Sequence, residues 1–449
     1  MLKKINVIIK RKTLMNQRLG IISIIAAFAV VGIVLGTSYS NTSTSSALSV
    51  TPSTIDRVTP QTIDSASAGN SQSAGGVEFN MFGANAIPLD QVAALKAAGR
   101  TVHEVTLTAQ SVDLPIPGGK MYHGMTFDGQ VPGPTIRATQ GDVIEVTLNV
   151  PSTEVTGHSL DMHASRISAV PNFGPVMPGK SNTYAFIAQT PGAFKYHCEG
   201  VGVIGMDQHV LSGMYGMVII DPLNGYHKLL KERTATVNGK VVLNNTLVSP
   251  AAYEFTLEYN QLYIDDNGSY NQDAMFKHDT TWTVVNGKPF GYDPVVTKVW
   301  NNAKAAHDRA APLIVPVGQH VRFFIVNQGN MPVFFHIVGS QMDRVTQGNV
   351  VQAMGTQTWE IGGSQDAIVD AIFDEPGAYV AVNHDYAAIF SGAASVILAK
   401  DAPAPNPSDA VPPDSTVPGT SIHQDTFVHC ECTDERASEI SSMINSTSQ

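Results

Sequence analysis

The feature that most constrains the fold is a degenerate internal repeat. Gly141-Asp142-Val143-Ile144-Glu145-Val146 returns as Gly318-Gln319-His320-Val321-Arg322-Phe323. Pro191-Gly192-Ala193-Phe194 returns as Pro376-Gly377-Ala378-Tyr379, and Ser212-Gly213-Met214 returns as Ser391-Gly392-Ala393. The offsets are 177, 185 and 179 residues, in the same order, so one structural unit occurs twice. Alternating apolar segments such as Val102–Thr108, Val143–Val150, Ala185–Ile187 and Met217–Ile220 are separated by Pro-Gly turn signals. No helical period persists from Val102 to Lys400, and the expectation is all-β: two tandem β-sandwich domains, at 100–222 and 235–400.

The rest of the chain divides by composition. Residues 1–18 form a basic, cytoplasmic N-terminus with six bases and no acids. Residues 19–36 are apolar but for Ser23, about the least that spans a bilayer. The flanking bases place the body outside the cytoplasm. With no clear cleavage site after it, the segment reads as a transmembrane anchor rather than a removed signal. Residues 37–99 are a Ser/Thr-rich linker with a short helix at Leu89–Ala98, and 401–449 form a tail rich in Pro, Ser and Asp. Without its first 18 residues the chain keeps 21 of 27 bases against 38 acids, about −17, which disfavours nucleic acid as a partner.

Three short segments carry the chemistry: His158–His163, Tyr196-His197-Cys198 and His209–Met214. Taken singly, a histidine pair, a buried thiol and a core methionine are ordinary residues. Their parity makes them informative, because side chains an odd number of residues apart on a strand face opposite ways. His158 and Cys198 then face inward with His209 and Met214, although Met217 rivals Met214. Two imidazoles, a thiolate and a weak thioether make a blue-copper set. His163 and His197 face the other way, joined by Asp161 at an even separation from His163. That second set lacks a ligand. The repeat offers His384, read at the place of Cys198, and His336, read at the place of His163, with Val338 on the same face; Ala393 takes the place of Met214.

The constellation, with the stretch Thr126–Arg137, resembles the copper nitrite reductases over residues 100 to 400. The resemblance implies two cupredoxin-like Greek-key β-sandwich domains and two coppers per chain. It assigns type 1 copper to His158, Cys198, His209 and Met214, and type 2 copper to His163, His197 and His384, the last from a neighbouring subunit of a homotrimer. Asp161 and His336 match the family's proton-handling pair, and Val338 a residue that shapes the nitrite pocket. Electrons from a small donor protein, a cupredoxin or a cytochrome, would enter at type 1 copper and pass through Cys198-His197 to reduce nitrite to nitric oxide. The ten residues between Cys198 and His209, Gln208 in place of a usual Trp, and the anchor resemble the forms found in ammonia-oxidising archaea.

Two other functions fit parts of the pattern. A two-domain laccase-like multicopper oxidase needs His-x-His pairs, and the chain has none. An anchored electron-transfer cupredoxin needs no proton relay, which leaves Asp161 and His336 without a purpose. In the tail, His423, His429, Cys430 and Cys432 suit copper or zinc, a strained disulfide, or a plain surface segment.

Overall fold

The computed structural model describes residues 85–400, apart from 118, 232–233, 244, 249, 252 and 295–310. The anchor, most of the linker and the tail with its His and Cys residues lie outside the described residues. No described helix is long and apolar enough to cross a membrane. The short helix expected before the first domain spans Leu89–Ala97 and buries Val92 and Leu95.

The architecture is largely β-sheet, and the sheets pack as two pairs. In the first, a five-stranded sheet ordered Ala86–Ile87, Lys180–Ile187, Val143–Val150, Val102–Ile116, Lys120–Phe127 faces a four-stranded sheet ordered Ile136–Thr139, Tyr215–Asp221, Gly192–His197, Asp161–Met162. Their inward residues, among them Leu107, Val146, Phe186, Val218 and Cys198, share one apolar cluster. In the second, a six-stranded sheet built around Tyr253–Leu262, His320–Asn327 and Asp366–Ile372 faces a five-stranded sheet built around Val333–Val338, Gly377–Asn383 and Ala394–Lys400. Those strands share a second cluster. The central strands place every other residue on their own core, as Val321, Phe323 and Ile325 do in His320–Asn327, in keeping with the alternation in the sequence.

The repeat is topological as well as sequential. Val102–Ile116 runs parallel to Val143–Val150, which is antiparallel to Lys180–Ile187. Tyr253–Leu262 runs parallel to His320–Asn327, which is antiparallel to Asp366–Ile372.

Between the pairs lie a small apolar seam of Ala193, Met217, Ile219, Phe324, Val326 and Ile368 and a chain of buried ions. Arg137 binds Asp221 through Nε (2.6 Å) and Glu254 through Nη1 (2.7 Å). Glu254 also accepts from Arg322 (2.9 Å), and Asp370 accepts from Arg322, Arg344 and His320 at 3.0, 2.8 and 2.6 Å. Charges taken out of water cost several kcal/mol each, and in this chain of ions each member's cost is offset by a counter-charge. Glu254 is the shared member between a first-pair arginine and a second-pair arginine. Glu254→Ala is therefore expected to destabilise the fold by about 3–5 kcal/mol, measured as a lower denaturant midpoint; an unchanged midpoint would contradict this role.

Candidate metal centres

The strand Gly192–His197 ends where the two donor sets part. Its Phe194 and Tyr196 side chains point into the first core, and Ala193 faces the seam. Cys198 continues the ladder, its N–H donating to Met214 O (3.1 Å), and it lies fully buried in the first core. Adjacent residues thus serve opposite faces.

On the inner side, Cys198 Sγ lies 3.3 Å from His209 Nδ1 and 3.8 Å from His158 Nδ1, and the two Nδ1 atoms are 3.1 Å apart. Three buried donors converge on one point instead of each taking a separate partner. His158 reaches it from a loop bridged to Val176, and His209 from the helix Met206–Leu211. The opposite nitrogen of His158 has no hydrogen-bond partner and sits 3.7 Å from Glu154 Oε2. Burial holds His209 down to about 4 and lowers His158, so both imidazoles are neutral ligands at neutral pH. Burial also raises the thiol of Cys198, against the pull of the Ser159 and Gly200 N–H groups that donate to Sγ at 3.4 and 3.2 Å. A bound metal deprotonates a coordinating thiol outright, and those two N–H groups then stabilise the thiolate. Met214 is fully buried in the same cluster as Cys198, whereas Met217 faces the seam between the sheet pairs.

On the outer side, His163 Nε2 and His197 Nε2 are 3.1 Å apart, with Asp161 Oδ2 at 3.6 and 3.7 Å. His197 Nδ1 is 3.0 Å from Cys198 O, a contact that turns Nε2 outward and fixes the tautomer. Burial, then Lys195, holds His197 down to about 3 and His163 to about 4. Burial, then Glu199, pushes Asp161 up to about 6. A soft His-Cys-His set beside a His-His-Asp set is the donor chemistry of two different copper sites, and the residues fit both.

His336 and His384 stand together on the second sheet pair, ring centroids 5.2 Å apart, with His336 Nδ1 donating to Gln357 O (2.6 Å). Val338 is half exposed on the same strand face as His336. Among the described residues, neither histidine joins the outer donor cluster of the same chain.

The strand register corrects two equivalences read from the repeat. Asn383, not His384, occupies the place of Cys198: Cys198 N donates to Met214 O, and Asn383 N to Ala393 O (both 3.1 Å). Asn383 Oδ1 accepts from Phe334 N (2.9 Å) and Asp385 N (3.3 Å), as Cys198 Sγ accepts from Ser159 N and Gly200 N. His336 pairs with Val382 as Asp161 pairs with His197, so His336 stands at the place of Asp161 rather than His163. Matching by ligand chemistry pulled both positions off the residue count. The replacement of Met214 by Ala393 holds, and Ala388 takes the place of His209, since Met214 N donates to His209 O as Ala393 N does to Ala388 O. The second socket is thus closed by an amide and two alanines. Sequence reasoning also passed over Lys195, although its even separation from His197 puts it on the outer face.

A family profile described as "Multicopper oxidase" matches residues 108–225. The copper-containing nitrite reductase of Rhizobium sullae is 30% identical over 310 residues, covering 66% of this chain and 75% of that protein. The chain belongs to the copper-containing nitrite reductase family. The nitrite reductase of Neisseria meningitidis (strain MC58) is 28% identical over 309 residues, 67% of each protein. The copper nitrite reductase of Nitrosomonas europaea superposes with a TM-score of 0.57 at 31% identity, over 70% of this chain and 99% of that one. As in this family, the chain is a copper-dependent oxidoreductase with two metal-binding clusters.

Cys198→Ser is expected to abolish the blue absorption band while the outer cluster still binds one copper, checked by visible spectra and copper counts. Loss of both coppers together would contradict the division of donors between faces.

Proposed function

We propose that this protein reduces nitrite to nitric oxide, taking one electron and two protons and releasing water. The supporting observation is the pair of unlike donor sets joined by the single peptide link between His197 and Cys198. On this reading His158, Cys198, His209 and Met214 hold type 1 copper, with Met214 as the weak axial ligand. The shared burial of Met214 and Cys198 supports that choice over Met217. His163 and His197 hold type 2 copper with His384 of the partner subunit, in a homotrimer. The outer donor set, two imidazoles short of a third, and the exposure of His384 are what favour sharing between subunits. Copper in these sets would supply one-electron redox chemistry and an electrophilic position for an oxyanion.

The chain's own groups do the rest. Asp161, poised near 6 by burial, is a proton donor that reloads at mildly acid pH. His336, oriented by Gln357 O, is the second proton-handling group, and Val338 limits the pocket. The two sheet pairs are read as two cupredoxin domains, 100–222 and 235–400. The body is placed outside the cytoplasm on the 19–36 anchor, fed by a small donor protein. A laccase-like reaction has no supporting His-x-His pair.

Three measurements test this. Copper analysis is expected to give two per chain, with anaerobic nitrite-dependent nitric oxide release. Four coppers with oxygen consumption would indicate the oxidase, and one copper the electron carrier. His384→Ala is expected to lower turnover at least about a hundredfold, the usual loss when a positioned catalytic group is removed, with the blue band intact; loss of the band with activity would overturn the site assignment. Turnover should fall as pH rises through about 6, where Asp161 loses its proton, and Asp161→Asn should flatten that limb of the profile.

A further inference from the structure

Lys195 is buried immediately beside the outer donor cluster without a direct counter-charge. It lies two residues before His197 on the same face of the strand Gly192–His197, about 7 Å along it at the usual strand rise. Its carbonyl accepts from His163 N (3.0 Å), so its backbone is bracketed by both outer imidazoles. The residue is only 5% exposed. Its ammonium donates to Gln328 O (2.8 Å) and to Ser364 Oγ (3.4 Å), two neutral oxygens on the second sheet pair. Among the described residues no carboxylate forms an ion pair with it, and the acids whose fields reach it are Asp161 and Glu258. Glu258 is fully buried and binds Gln328 Nε2 (2.6 Å). Burial pushes its carboxyl up to about 8 and lowers the Lys195 amine to about 8, so at neutral pH both are mostly protonated and Glu258 neutralises little of the lysine's charge.

Burying an ammonium against neutral acceptors costs several kcal/mol, and an apolar residue would fill a strand position beside the seam at no such cost. The field therefore has somewhere to act, and the nearest open chemistry is the outer cluster. We propose that Lys195 is a positioning residue for the substrate: a buried cation beside the outer cluster that selects small monoanions over neutral ligands there. This deepens the nitrite reading and rests on it for the identity of the anion. Nitrite carries a negative charge and nitric oxide carries none, so the same field retains the substrate and not the product. A unit charge within about 10 Å of a bound anion, in a partly screened interior, changes its affinity by roughly ten- to thirtyfold.

The test uses the full copper-loaded protein, with Lys195→Gln, which removes the charge but keeps a donor for Gln328 O and Ser364 Oγ, and Lys195→Arg, which keeps the charge. Nitrite, azide and neutral imidazole are titrated separately, and binding is followed in the electron paramagnetic resonance signal of the outer copper. Lys195→Gln is expected to weaken nitrite and azide about tenfold, leave imidazole within about twofold, and leave the blue band intact; Lys195→Arg should stay within about threefold of the parent for all three. Unchanged anion affinity in Lys195→Gln, or equal loss of imidazole, would overturn the proposal. If Lys195→Gln loses its blue band, Lys195→Met decides by the same criteria, and loss of the band there too assigns the lysine a structural role and overturns the proposal. Azide binding without nitrite binding in the parent protein would defeat the nitrite reading alone, since the azide comparison still decides the part played by Lys195.

Discussion

The structure depends on one geometric constraint, that adjacent residues on an extended chain face opposite ways. His197 and Cys198 stand at the end of a strand whose alternate residues alternate between the first apolar core and the outer face. The thiol enters the core among His158, His209 and Met214, while the imidazole turns out to His163 and Asp161. Unlike donor sets, one soft and buried and the other imidazole-rich and accessible, thereby sit on either side of one peptide link. A one-residue slip of that strand would exchange the two faces and lose both sets together.

The second sheet pair shows what the same frame looks like when the inner set is gone. Asn383 Oδ1 takes the two backbone N–H groups that in the first pair point at Cys198 Sγ, and Ala388 and Ala393 fill the space of His209 and Met214. A buried N–H without an acceptor is costly, so removing the cysteine required another acceptor there, and the amide provides it. What the second pair kept is on its outside: His336 and His384, close to each other and open to a ligand or a second chain. The ion chain through Arg137, Glu254, Arg322 and Asp370 locks the pairs against each other, with the seam residue Ala193 on the strand that ends at His197.

Much of this was legible in the residues. The alternation named the strands, the repeated Pro-Gly-Ala and Ser-Gly segments named the two units, and parity sorted His158 and Cys198 from His163 and His197. Equivalence across the repeat was less legible, because the second unit carries its histidines one or two residues away from the positions that correspond to Cys198 and His163. Residue chemistry suggests His384 for the cysteine position and His336 for the His163 position, while the hydrogen-bond ladder puts Asn383 at the place of Cys198 and His336 at the place of Asp161. Lys195 carried a signal, a cation at even spacing from a ligand, but a lysine on a strand ordinarily faces solvent, and only the packing of Gln328 and Ser364 over it makes it a buried charge.

By itself, the sequence determined the alternating pattern, the duplicated unit and the chemistry of the donors, since all three are local properties of residue type and spacing. Only the tertiary structure decided which methionine shares a core with Cys198, which residue of the second pair is the true counterpart of that cysteine, and that the Lys195 amine is buried against Gln328 and Ser364. Those facts depend on the register of strands distant in the chain and on which surfaces cover one another, and neither is written in the order of neighbours.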